Sequence, residues 1–391
     1  MGADPTEPPA PAAAGQTPAK PRYRRQEQEP ASEEVVEVTP GILRLQLPIE
    51  FTGLGHVNTY AMTDAKGVAL VDVGMPGNPT WDALGARLKT AGLRLRDVHT
   101  VVVTHSHPDH FGAAGRLVHD FGAQLVTERH FQTWFDPKHH HADARDTTAA
   151  HDGAGDAARD AAEGGDGGPA PDDTGYVDVF SGTPWGGAPL PRKRGQRAMV
   201  FAARHGLLRR FRPPVPTRRV VSGERITLGG REWVSVHTPG HTRDHLCLLD
   251  PESGVLLSGD HVLPSITPHV SGVTGATDAL ADYLASLDAL RHIGPVSTVL
   301  PAHGHPFDNL ETRLGEIEAH HVARLAEIRK IAAERGVLSV VEFSHLMFKQ
   351  AHWGLMAESE TYAHLEHLRL SGSAERTERD GLLYYEVDTA G

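Results

Sequence analysis

The sequence predicts an α/β protein of layered strands and helices that ends in a smaller helical unit. Three observations support this fold class. Short apolar runs typical of strands alternate with helical patterns between residues 41 and 135. Strand patterns resume between 224 and 300, and the residues after 310 place apolar side chains at helical spacing. This alternation is typical of a layered domain in which helices cover the faces of sheets.

The predicted elements of the first half are either short apolar runs beside turn residues or segments with helical spacing. In chain order they are strands at 42–45, 60–62, 68–74 and 101–104, with helices at 81–91 and 113–121. The second half adds strands at 224–228, 232–237, 245–249, 254–258 and 298–300.

Two segments are predicted to be disordered. Residues 1–38 are rich in Pro, Ala and Glu, and 136–215 has little hydrophobic periodicity apart from a possible basic helix at 198–210. We therefore expect a disordered tail at 1–38 and a core domain at 39–310 that contains a largely disordered insertion at 136–215.

The insertion is acidic over 136–189 and basic over 191–219. The two halves could associate with each other, or the basic half could face an anionic substrate. The run His139-His140-His141 is expected to be a solvated loop.

The last unit, 311–391, is predicted to be a separate winged-helix domain. A long amphipathic helix carries Leu314, Ile317 and Ile328 on one face, and two shorter helices and a hairpin around 379–381 follow.

Composition limits the class of protein. The 391 residues include one cysteine, Cys247, so an intramolecular disulfide is excluded and a cytoplasmic location is expected. No apolar run approaches the roughly 20 residues of a membrane span, and the N-terminus has no secretory pattern.

The strongest chemical signal is His105-x-His107-x-Asp109-His110, which directly follows the apolar run 101–103. Imidazole and carboxylate groups are ligands for Zn²⁺ or iron, and this spacing lets alternate side chains face two adjacent ions. Three further candidate ligands each follow a strand of their own: His241, Asp260 and His303.

Together these seven residues resemble the ligand set of the metallo-β-lactamase superfamily in its dinuclear, glyoxalase II-like form. The resemblance implies a four-layer αβ/βα sandwich with a C-terminal winged helix, as in the branch of β-lactamase-like endoribonucleases and thioesterases. It also implies that His105, His107 and His241 hold one ion and that Asp109, His110 and His303 hold the second. Asp260 would then bridge the two ions.

The resemblance extends to supporting residues. Asp72 matches an aspartate that supports the site from behind the ligands, and His245 is a second candidate for such a role. His305, His261 and Cys247 are not expected to take part. For substrate binding we expect His56 and Asn58 from a Gly-rich turn, and Ile266 and His269 from the loop that follows Asp260.

The implied function is a dinuclear hydrolase of thioesters or esters that uses two divalent ions, most favourably zinc, with iron or manganese also compatible. Asp109 and Asp260 are the expected catalytic carboxylates. The substrate would be a small molecule or carrier-linked, with no membrane partner and a possible homodimer. A cysteine is usual in true β-lactamases at the position of Asp260, which disfavours antibiotic hydrolysis.

Two other activities stay open: an endoribonuclease and a sulfur dioxygenase with one iron. The nuclease is disfavoured because the candidate recognition helix carries Glu358, Glu360 and Glu366 against Arg369 alone, whereas nucleic-acid affinity depends on phosphate contacts. A third hypothesis, a degenerate core with a dimerising or pocket-closing appendage, conflicts with the intact ligand set.

Overall fold

The computed structural model describes residues 25–51, 53–133, 182–186 and 212–389. Seven strands of this part form the first sheet, hydrogen-bonded in chain order. They are β1 (Val35–Thr39), β2 (Ile42–Phe51), β3 (Leu54–Asp64), β4 (Gly67–Val71), β5 (Val98–Val102), β6 (Gln124–Glu128) and β7 (Arg218–Val220). Strands β1 to β4 pair antiparallel, and β4 to β7 pair parallel.

Five strands form a second sheet in the order β12-β11-β10-β9-β8. They are β8 (Arg225–Leu228), β9 (Arg231–His237), β10 (Leu246–Asp250), β11 (Val255–Gly259) and β12 (Thr298–Pro301). Only β11 and β12 pair parallel in this sheet. Each of the five strands overlaps a predicted one.

Helices cover the outer faces of both sheets. They are α1 (Asn78–Thr90), α2 (Pro108–Phe111) and α3 (Ala114–Phe121) in the first half, and α4 (Ala279–Leu290) and α5 (Leu310–Arg335) in the second. One apolar cluster joins the two sheets through residues such as Val102 and Trp233. Leu84 of α1 packs on the outer face of the first sheet, and Leu287 of α4 packs on that of the second. The layers are therefore helix, sheet, sheet and helix, as predicted.

The C-terminal part continues from α5 with α6 (Val340–Met347) and α7 (Leu355–Leu370). Three short strands complete it: β13 (Leu338–Ser339), β14 (Ala374–Arg379) and β15 (Leu382–Val387), in the order β13-β15-β14. A C-terminal helical unit is therefore present, and its winged-helix identity stays a prediction.

Three boundary predictions need correction. Residues 25–38 of the predicted tail are ordered, because β1 pairs with β2 and Glu27 is buried. Trp185, inside the predicted insertion, is also buried and donates a hydrogen bond from Nε1 to Glu358, 3.1 Å away. The C-terminal unit is not separate from the core, because Leu314 and Ile317 of α5 pack with residues of the second sheet.

The predictions for His139–His141, for the helix at 198–210 and for most of the charged insertion lie outside the described residues. Among the helices that are described, none is both long enough and apolar enough to cross a membrane.

Candidate metal centre

Three imidazoles meet one carboxylate beyond the ends of the central strands. His105 and His107 follow β5, His241 lies between β9 and β10, and Asp260 follows β11. Nδ1 of His107 lies 3.0 Å from Nε2 of His105 and 3.1 Å from Nε2 of His241. Oδ2 of Asp260 lies 3.9 Å from Nε2 of His105 and 3.6 Å from Nε2 of His241. Four candidate ligand atoms therefore face one point.

A second group adjoins the first and shares Asp260. Oδ2 of Asp109 lies 3.5 Å from Nε2 of His110 and 3.4 Å from Nε2 of His303. The two oxygens of Asp260 complete this group, Oδ2 at 3.5 Å from His110 and Oδ1 at 3.3 Å from His303. Asp260 therefore faces both groups.

The polar atoms of both groups fit divalent transition metals. Nε2 of His110, Nε2 of His303 and Oδ1 of Asp260 are buried and have no hydrogen-bond partner among the described residues. Buried polar atoms normally have partners, so unpaired atoms that converge fit a site that can hold a cation. Imidazole and carboxylate are the donors that zinc prefers.

The outer nitrogen of three ligand imidazoles is held by a hydrogen bond. Nδ1 of His110 lies 2.8 Å from Oδ2 of Asp72, and Nδ1 of His241 lies 2.7 Å from the carbonyl of His269. Nδ1 of His303 lies 2.7 Å from the carbonyl of His56. These oxygens can accept a hydrogen bond from Nδ1–H, which leaves Nε2 as the nitrogen that would bind a metal.

Asp72 and His245, the two predicted supporting residues, each hydrogen-bond to a candidate ligand residue. Asp72 is buried with φ of 55°, and it accepts hydrogen bonds from the backbone N–H and the hydroxyl of Thr104, both at 2.9 Å. The backbone N–H of Asp260 donates to Nε2 of His245 at 3.0 Å, and Nδ1 of His245 lies 2.8 Å from the Thr238 hydroxyl. His245 therefore fixes the backbone of the shared carboxylate.

The two groups differ in electrostatics. Burial and the neighbouring imidazoles hold the pKa of His105 well below its usual range and lower the pKa of His107 to about 3. In the second group burial acts in the same direction, but the carboxylates outweigh it. They raise the pKa of His303 to about 10 and that of His110 well above its usual range.

Two of the four predicted substrate-binding residues are buried and make internal hydrogen bonds. The Asn58 amide donates to the carbonyls of Pro301 and Gly304 and accepts from Gln46. His56 has Nδ1 2.7 Å from the carbonyl of Glu29. Both residues lie on β3, which is covered on both faces, and their contacts help to position the loop that carries His303.

The other two predicted substrate residues remain candidates. Ile266 and His269 are partly exposed in the loop after Asp260. Nδ1 of His269 lies 3.5 Å from Glu360 of α7, so the C-terminal unit contacts this loop.

Sequence reasoning missed the role of the segment before β1. The carboxylate of Glu27 accepts hydrogen bonds from the backbone N–H groups of Ser265 and Ile266, at 3.1 and 3.3 Å, and from the Ser265 hydroxyl at 2.5 Å. Gln26 accepts from the backbone N–H of His305 at 2.8 Å. A side chain at Gly55 would collide with the Glu29 carbonyl, which explains the glycine there. The pattern Gln-Glu-Gln-Glu gave no signal for this role.

The comparisons with known proteins agree with this geometry. Residues 52–303 match the family model described as the metallo-beta-lactamase superfamily, and the chain belongs to that superfamily. A solved beta-lactamase domain protein from Burkholderia ambifaria is similar, with 27% identity and a TM-score of 0.67 over 94% of this chain and 98% of that one. A metallo-beta-lactamase family protein from Thermus thermophilus shares 26% identity, with a TM-score of 0.65 over 90% and 100% of the two chains.

Similar curated proteins include two kinds of hydrolase. The acyl-coenzyme A thioesterase MBLAC2 of Gallus gallus is 31% identical over 38% of this chain and 51% of its own length. The probable metallo-hydrolase YqjP of Bacillus subtilis is 23% identical over 84% of this chain and 92% of its own length. The matches to the thioesterase and to the lactamase-like proteins of fungi span only about a third to a half of those relatives.

Proposed function

We propose that this protein is a dinuclear metal-dependent hydrolase that cleaves a thioester or ester bond. The observation that carries the proposal is the position of Asp260, whose two oxygens face four ligand nitrogens at 3.3 to 3.9 Å. A shared carboxylate of this kind is typical of sites that hold two ions roughly 3.5–4 Å apart.

His105, His107 and His241 would hold the first ion, and Asp109, His110 and His303 the second. When bound, the two ions would polarise the substrate carbonyl and lower the pKa of the attacking water. Asp109 would hold the second ion through Oδ2, the atom that faces His110 and His303. His245 and Asp72 keep the carboxylate and imidazole groups in position.

The choice of a thioester rests on relatives and on the loop after Asp260. One similar protein is named as an acyl-coenzyme A thioesterase, and another, from Aspergillus fumigatus, as an atrochrysone carboxyl ACP thioesterase. The partly exposed Ile266 of the loop offers an apolar contact for an acyl chain. A carrier-linked or coenzyme A thioester therefore fits the site best.

The test compares Asp260→Asn with a matched control, Asp250→Asn. Asp250 is also buried but pairs with Arg231, 2.9 Å away. Metal content, palmitoyl-coenzyme A hydrolysis and cleavage of single-stranded RNA are measured on the same samples. We expect Asp260→Asn to hold two metal ions fewer than the wild type and to lose thioester hydrolysis, while the control keeps both.

Other outcomes would overturn the proposal. RNA cleavage without thioester hydrolysis would indicate the endoribonuclease. A difference of one ion, identified as iron and accompanied by persulfide oxidation, would indicate the sulfur dioxygenase.

A further inference from the structure

A third group of metal-ligating side chains lies apart from the seven-residue centre. Glu128 ends β6, His130 follows two residues later, and His237 ends β9. Oε1 of Glu128 lies 3.0 Å from Nδ1 of His130 and 4.0 Å from Nε2 of His237. One ligand atom from each of the three residues lies within 4.8 Å of the other two. The two imidazole rings are stacked, with their centroids 5.5 Å apart.

Glu128 is a buried carboxylate that faces two histidines. It is 1% exposed, its Oε2 accepts a hydrogen bond from the backbone N–H of His130 at 2.5 Å, and the imidazoles of His130 and His237 lie within 4.0 Å of it. A buried carboxylate is costly unless it is paired or binds a metal. Burial, with a smaller contribution from the charge of Glu128, raises the pKa of Asp244 to about 7, so the two carboxyl groups repel each other. A cation beside Glu128 would relieve this repulsion.

The donor set and its accessibility also favour a metal. A carboxylate with two imidazoles is a zinc-type set that leaves a position for water. The imidazoles of His130 and His237 are 27% and 24% exposed, so an ion and its water can enter from solvent. Nε2 of His237 now lies 2.8 Å from the carbonyl of Arg243. Binding through Nε2 would release that hydrogen bond and leave the carbonyl oxygen beside the same ion.

We propose that Glu128, His130 and His237 bind a third metal ion of the zinc class, separate from the dinuclear centre. Strand β6 belongs to the first sheet and β9 to the second, so the ion would link the two sheets where these strands end. His237 directly precedes the segment 238–245, which carries His241 and contains Asp244, the acceptor of a 3.1 Å hydrogen bond from the hydroxyl of Ser106. The ion would therefore be structural, fixing the start of the segment that carries His241.

The test uses the double variant His130→Gln/His237→Gln, because these partly exposed positions tolerate substitution. After equilibration in a zinc buffer and removal of free metal, zinc per chain is measured by elemental analysis. We expect three zinc ions in the wild type and two in the double variant. The thermal stabilisation that zinc confers on the wild type should also decrease in the double variant.

Two further variants keep the result independent of the proposed function. Asp260→Asn should retain the one ion of the third site, and the triple variant with His130→Gln and His237→Gln should retain none. His99→Gln is the matched control: Nε2 of His99 lies 3.3 Å from Asp64, in a pair that belongs to none of the three described ligand groups. Equal zinc content in the wild type and the double variant would overturn the proposal, as would loss of an ion in the control.

Discussion

Replacing Asp72 with asparagine would change which nitrogen of His110 carries the proton. One oxygen of Asp72 accepts the backbone N–H of Thr104, and the other accepts Nδ1–H of His110 at 2.8 Å and the Thr104 hydroxyl. An asparagine must keep its oxygen toward the Thr104 N–H, so its NH₂ group faces Nδ1 of His110. Nδ1 then accepts a hydrogen bond, and the proton moves to Nε2, the atom that faces Asp109 and Asp260.

The expected loss follows from these contacts. Removing the partner behind a ligating histidine typically weakens metal binding by about 10- to 100-fold, or about 1.4 to 2.7 kcal/mol. The loss should fall on the ion of the second group. His105 reaches Asp72 only through the Thr104 hydroxyl, which lies 3.1 Å from its Nδ1, and His107 and His241 have no described contact with Asp72. We therefore expect weaker binding of one ion, with the other nearly unchanged.

The assay is competition for zinc between the protein and a chelator of known affinity, at pH 7. Asp250→Asn serves as the control for removing a buried carboxylate. If Asp72→Asn binds every ion with wild-type affinity, the inferred tautomer of His110 is wrong. If all ions are weakened equally, Asp72 acts on the whole fold instead of on His110.

Two further predictions concern the segment before β1 and the pH dependence of stability. Glu27→Gln weakens the hydrogen bonds to Ser265 and Ile266, so the free energy of unfolding should fall by about 1–3 kcal/mol. Hydrogen exchange at 262–269 should accelerate with metal content unchanged, and unaltered exchange would contradict the role of Glu27. In the metal-free protein the pKa of His303 is raised to about 10, so the bound proton stabilises the folded state. This contribution is complete below the unfolded pKa of about 6.5 and is lost as pH rises toward 10. Denaturant midpoints of chelator-treated protein should therefore fall over that range, and an equal fall in His303→Gln would refute this cause.

The sequence predicted the seven clustered residues because each follows an apolar strand. His105, Asp260 and His303 follow strands of the two sheets by one to three residues. Because the ends of those strands lie close together, the residues that follow them do as well. The burial of His56 and Asn58 was not predicted, and it has a local cause. The Gly-rich segment was interpreted as a turn, whereas it starts β3, a strand buried on both faces, where polar side chains bond internally.

Other features depend on contacts that sequence patterns do not contain. The apolar face of α5 was predicted, but not that Leu314 packs on the second sheet while Ile328 packs within the C-terminal unit. Glu128 and His237 are more than 100 positions apart in the sequence and share no motif. Their proximity arises from the packing of two sheets.

The buried position of Glu27 also affects how a shortened form of this protein would behave. Composition alone suggests trimming the chain at Val38, which would remove the acceptors used by His56, Ser265 and His305. The seven candidate metal ligands all lie after that cut and would be kept. The loops that contain Ser265 and His305 would lose the hydrogen bonds that hold them. If the shortened protein bound metal but hydrolysed its substrate slowly, the cause would be the lost hydrogen bonds and not the chemistry of the metal centre itself.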